Sequence, residues 1–148
     1  MGVARREGGL TMREILFRGK RIDNGEWCEG GYYLEPYTDR TYIVCWNSFG
    51  LGFIEHIEVN RDTVGQYTEM KDRNGVRIFE GDIAQEYYSW KIQKKYGKKY
   101  QVSMDNERGG WFPFASGDGC GCCEEDTRNP LDCEIIGNVH DNPELMEV

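Results

Sequence analysis

Two Asn-Gly pairs, Asn24-Gly25 and Asn74-Gly75, each stand between runs of β-branched and aromatic residues, and they constrain this chain more than any other feature. An Asn-Gly pair between apolar runs signals a β-hairpin, because both central residues of the tightest turn need positive φ. The flanking segments read accordingly. REILFR (13 to 18) alternates with Ile15 and Phe17 on one side, and glycines 30 and 31 bend a strand that continues through Tyr32, Tyr33 and Leu34. RTYIVCW (40 to 46) has the composition of a buried strand, and FIEHIEV (53 to 59) that of a half-buried one. After the second pair, VRIF (76 to 79) and DIAQEYYSW (82 to 90) meet at a glycine corner, followed by KKYQVSM (98 to 104), GGWFPF (109 to 114) and CEIIGNV (133 to 139). Pro113 assigns its strand to an edge. Asn142-Pro143-Glu144 reads as N-cap, first-position proline and first-turn acid of a short terminal helical turn anchored by Leu145 and Met146. The fold class is mainly β.

A chain of 148 residues suits one domain with a working core. Residues 1 to 11 carry Arg5, Arg6, Gly8 and Gly9 with little to bury, so they read as a flexible extension ahead of a β-rich domain over 12 to 148. No apolar run approaches the ~20 residues that cross a bilayer, and the N-terminus lacks the apolar core of a secretory signal. The expected location is the cytoplasm, without membrane association.

The stretch KDRNGVRIFEGDIA (71 to 84) gathers acids and glycines as an ion-binding loop does. A calcium loop with Gly75 at its obligatory turn would put Met70 at the first ligand and Gly81 at the bidentate acid, so that pattern fails. A phosphate loop fails too, since no Gly-Lys-Ser/Thr follows and no helix is entered. Turn chemistry accounts for the polar residues instead: Asp72 and Asn74 shape the turn, Gly81 permits a bend, and Asp82 bonds neighbouring amides.

Cys120 and Cys123 have the spacing of a zinc-binding pair, and Cys133 with His140 would complete a tetrahedral set. The second close pair that marks such sites is missing, and free thiols in a reducing compartment are the competing reading. Cys28 and Cys45 sit in strand-like runs as small core residues. Neither His56 nor His140 adjoins a recognised nucleophile motif, so no catalytic residue is assigned and the chain reads as a non-enzyme.

Charge is unevenly spread. The net charge is −8, yet KIQKKYGKKY (91 to 100) holds five lysines and no acid, while 124 to 148 holds eight acids and Arg128 as its base. Such polarity suits self-association into a homo-oligomer as well as a plain solvated surface. Lys91, Lys94, Lys95, Lys98 and Lys99 are interleaved with Tyr96 and Tyr100 and follow Tyr87, Tyr88 and Trp90, the mixture a single-stranded nucleic acid needs. Tyrosine and tryptophan on a half-exposed sheet equally serve protein interfaces. The acidic remainder puts nucleic acid second and a protein partner first.

Three blocks, MREILFRGKRIDNGEW, TVGQYTEMKDRNGVRIFEGDIA and EIIGNVHDNPELM, resemble the YopX family of phage and prophage proteins, and together they frame Met12 to Met146. The resemblance implies a β-rich fold with an SH3-like barrel around EGDIA. It also implies an accessory protein of phage or prophage origin in a bacterial host, whose function the family leaves open and for which it supplies no catalytic residue. GDGCGCC and the first eleven residues fall outside the shared pattern. Any zinc at the cysteines would therefore be particular to this chain.

Overall fold

A computed structural model of the protein describes residues 13–46, 54–90, 93–107, 109–114 and 129–147. The extension over 1 to 11, Lys91 and the cysteine pair Cys120/Cys123 lie outside the described residues. Within the stretch read as one domain, the chain packs as two compact units, Met1–Glu69 and Met70–Val148.

The first unit is built on an antiparallel meander of β1 (Phe17–Lys20), β2 (Trp27–Leu34), β3 (Thr41–Trp46) and β4 (Ile54–Val59), with β5 (Gly65–Lys71) added beyond β1 and running through the unit boundary. Within this unit the spatial order is β4-β3-β2-β1-β5. Ile43, Val59 and Tyr67 are buried together with Thr41, Thr63 and Thr68. Gly30 is needed where β2 crosses β3, because a Cβ there would lie 2.0 Å from the Val44 carbonyl oxygen. At its end β4 leans back on β1: the Ile22 amide donates to the Glu58 carbonyl at 3.1 Å and the Asn60 amide to the Lys20 carbonyl at 2.8 Å. An isolated bridge, Arg21 to Val59, marks this seam, and it is too short to join the sheet into a cylinder.

The second unit contains β6 (Arg77–Phe79), β7 (Asp82–Trp90), β8 (Gln93–Gln101), β9 (Ser103–Asp105), β10 (Gly110–Phe112) and β11 (Cys133–Asn138). β7 is the middle of an open sheet in the order β11-β7-β8, and β9 pairs with β10 as a separate ribbon. The SH3-like barrel expected around EGDIA is therefore not formed among the described residues. That segment feeds a long central strand flanked by two neighbours, and the ribbon that would have to close a cylinder pairs with itself. The core gathers Ile78, Ala84, Val102, Phe114 and Cys133, with Met70, Trp111 and Ile135 packed against it. Each large apolar side chain so buried contributes about 1.5–3 kcal/mol. The chain ends in a 3₁₀ turn, Pro143–Met146, whose Asn142 makes no side-chain cap; its Oδ1 instead accepts from the Asn138 amide at 3.4 Å.

The Asn-Gly pairs do turn the chain, by another geometry than the tightest hairpin. Only the glycine of each pair has positive φ, +72° at Gly25 and +79° at Gly75. Around the second pair, Gly75 N–H bonds the Asp72 carbonyl at 3.0 Å and Asp72 N–H bonds the Val76 carbonyl at 2.9 Å. This is the three-residue connection in which a type I turn is followed by a left-handed glycine. Around the first, Arg21 N–H bonds the Glu26 carbonyl at 2.9 Å, closing a longer loop.

Candidate functional site

The acid-rich corner of the second unit holds backbone. Asp72 is 2% exposed, and its Oδ1 accepts from the amides of Asn74 (2.8 Å) and Val76 (2.9 Å). Its Oδ2 accepts from the amide of Ile135 in β11 at 2.9 Å. Asp82, equally buried, accepts the Phe79 amide at 2.8 Å across Gly81. Sequence reasoning foresaw the turn bonds; the tie to Ile135 spans sixty-three positions and has no local signal.

A third buried acid, Glu86, explains the register of the lysine-rich strand. Gln85 lies opposite Lys99, Tyr87 opposite Tyr96 and Ser89 opposite Lys94, so the pairing shifts by one residue between Gln85 and Tyr87, and β8 carries the extra residue. The Lys98 amide finds Glu86 Oε2 at 3.2 Å, and the Gly97 carbonyl finds Gln85 Nε2 at 3.3 Å. Glu86 Oε1 accepts the Tyr100 hydroxyl at 3.1 Å. A bulge whose loose backbone groups are satisfied by two side chains of the neighbouring strand is a built feature.

The five lysines are thus redistributed. Lys98 and Lys99 are exposed, Lys94 and Lys95 are placed as β8 backbone opposite Ser89 and Tyr88, and Lys91 lies outside the described residues. Of the rings, Tyr96 is 56% exposed and meets the buried Tyr87 edge-on with centroids 5.3 Å apart. The Arg73 guanidinium lies 3.4 Å from the Tyr87 ring centre, a partner that the sequence reading missed because nothing local links residues 73 and 87.

The described members of the cysteine-histidine set do not come together. Cys133 is wholly buried at the start of β11 opposite Glu86, whereas His140 is exposed beyond the strand's other end, beside Gly81. A six-residue strand at about 3.3 Å per step separates its ends by roughly 16 Å. Ligands of one zinc ion lie within about 4–5 Å of each other. Among the described residues no three His, Cys, Asp or Glu side chains are grouped to hold a metal.

The first unit presents the most developed surface. Tyr33 pairs with Tyr42, Tyr42 with Glu58, Val44 with His56 and Trp46 with Ile54, so these positions share one face of β2–β3–β4. The opposite face carries Thr41, Ile43 and Val59, all buried. On the open face Tyr33 stacks on Tyr42 (centroids 5.1 Å, planes 19° apart) and meets His56 edge-on at 5.7 Å. The Tyr33 hydroxyl and His56 Nδ1 are hydrogen-bonded at 3.0 Å. Ile54 is 54% exposed on the same face, and Tyr37 projects fully into solvent from the β2–β3 turn with φ +73°. The turn itself was a usable sequence signal. A hairpin centred between Tyr37 and Thr38 brings 33 opposite 42 by counting outward.

Two thiols lie in this unit. Burial pushes the Cys28 thiol up to about 11, helped by the neighbouring Cys45, and burial likewise raises Cys45. Cys28 Sγ sits 3.6 Å from the Gly19 carbonyl oxygen, to which it donates. Both are poor nucleophiles at neutral pH.

Among known proteins, the family model described as YopX protein matches residues 16–147. The crystal structure of protein EF1440 from Enterococcus faecalis is similar at 24% identity over 90% of this chain and 99% of that one, with a TM-score of 0.48. No curated protein matches. No described helix is long and apolar enough to cross a membrane.

Proposed function

The chain belongs to the YopX family, and from that premise we propose that it is a non-enzymatic accessory protein of phage or prophage origin. On this reading it acts in the cytoplasm of the bacterial host by binding another protein, or a second copy of itself, through the open face of β2–β3–β4. The observation that carries this reading is the ring cluster of Tyr33, Tyr42 and His56, lying back to back with the buried Ile43 and Val59. Cross-strand stacking and the tyrosine-histidine hydrogen bond hold these rings before any partner arrives, which lowers the ordering cost of association. Tyrosine is enriched where interfaces concentrate their energy. The buried acids support the non-enzymatic part, since Asp72 and Glu86 spend their oxygens on backbone amides and a tyrosine hydroxyl.

The experiment compares affinity capture from prophage-induced cells with wild-type bait and with Tyr33→Ser/Tyr42→Ser bait, alongside sedimentation of each purified protein. A partner or a self-association lost in the double variant supports the reading. Identical capture and identical sedimentation with a variant that retains its circular dichroism spectrum would refute it.

A further inference from the structure

We propose that the outer face of the β7–β8 hairpin, at Arg73, Tyr96 and Lys99, binds single-stranded nucleic acid. This site is in the second unit and is independent of the ring face on β2–β4. Period-two alternation along β8 would group Lys94, Tyr96 and Lys98 and turn Lys99 the other way. The extra residue at Gly97–Lys98 reverses that parity, so Lys99, opposite Gln85, shares a face with Tyr96, opposite Tyr87. The core takes the other face, through Ala84, Cys133 and Ile135.

The resulting constellation matches one ligand chemistry. The Tyr96 ring is 56% exposed and braced edge-on by Tyr87, which leaves a flat surface for a base. Arg73 is exposed and seated over Tyr87 at 3.4 Å, so a planar cation lies on the ring that braces Tyr96, and the exposed Lys99 stands on the same face of β8 as Tyr96. Stacking needs an unpaired base, which selects single strands over duplex; two cations then meet consecutive phosphates. Among the described residues of the sheet the acid at this face is Glu134, opposite Gln85 on the β11 side, where the Arg73 amide bonds the adjacent Cys133 carbonyl, and it is separated from Lys99 by β7. An acidic peptide would use the cations and leave the ring idle, which makes Tyr96 the discriminating residue.

The test is fluorescence anisotropy of the full chain with labelled oligothymidylate, oligouridylate and a mixed-sequence duplex at about 50 and about 200 mM salt. Both single strands should saturate the protein ahead of the duplex, and the tighter of the two identifies the strand used. Two neutralised phosphates at a slope of about −0.7 each reduce affinity roughly sevenfold between those salts. Tyr96→Ala should weaken binding roughly tenfold or more. Lys99→Glu, at an exposed position that disturbs no packed ring, should weaken it comparably and flatten the salt dependence. Absence of saturable binding at the lower salt, duplex bound as tightly as single strand, or a Tyr96→Ala affinity equal to wild type would each overturn the proposal.

Discussion

Replacing Asp72 separates the two tasks of one carboxylate. Its three amide bonds, at 2.8, 2.9 and 2.9 Å, are to a charged acceptor, a kind that contributes about 1.5–3 kcal/mol each. Asn74 and Val76 are exposed and their amides regain water when the acceptor goes, whereas Ile135 is half-buried within the sheet. Asp72→Ala should therefore cost about 3–5 kcal/mol, below the gross sum of the three bonds. Asp72→Asn keeps one carbonyl oxygen for the turn amides but points an NH2 group at the Ile135 amide. It should cost about 1–3 kcal/mol, all of it at the β11 tie. Urea unfolding gives the two energies, and amide hydrogen exchange reads Ile135 directly. If Asp72→Asn unfolds at the wild-type midpoint with Ile135 still protected, the carboxylate does not hold β11 and the reasoning fails.

Two further outcomes follow from glycine and thiol geometry. Gly81 has φ +90°, and a Cβ there would make only ordinary van der Waals contact, 3.5 Å from His140 Nε2, so Gly81→Ala should cost the backbone term alone, about 1–2 kcal/mol. Gly30→Ala must move the Val44 carbonyl and should cost more, with strand separation in the first unit; equal unfolding midpoints for the two variants would contradict this. Iodoacetamide labelling of Cys28 should stay slow at pH 8 and climb toward pH 11, since burial lifts its thiol from 9.0 to about 11. Because the native thiol keeps a proton that the unfolded one gives up, this contribution to stability is complete below about pH 9 and is lost as pH rises toward 11. A labelling rate that levels off near pH 9 would show an accessible thiol.

What the sequence made legible was local. The turn role of Asp72, the bend at Gly81 and most strands are carried by residues within a few positions of one another. β5 was not read as a strand, because GQYTEMK opens on Gly-Gln and sets Glu69 and Lys71 around Met70, so no apolar run marks it even though the Asn74-Gly75 turn follows. The faces of β8 were hidden for a different reason. Its parity depends on an inserted residue that only the pairing with β7 reveals, so counting lysines could not say which of them stand together. Arg73 on Tyr87 and Asp72 on Ile135 are contacts between distant segments, and the separation of Cys133 from His140 depends on a strand that keeps them at its two ends. The barrel expectation came from resemblance, and it failed on how β9 and β10 pair.

The tie from Asp72 to Ile135 also bears on assembly. A sheet ordinarily invites another chain to dock along its outermost strand, and β11 is such a border. Here the Ile135 amide is already taken by a side chain and the Cys133 carbonyl by the Arg73 amide at 3.0 Å, so a visiting strand would find those two positions filled. The opposite border, β8, is kinked by its bulge and lined with lysines, which repel a like copy. Fibrous growth is thereby discouraged from both directions by different means, leaving side-chain faces rather than strand edges for this unit to engage other molecules.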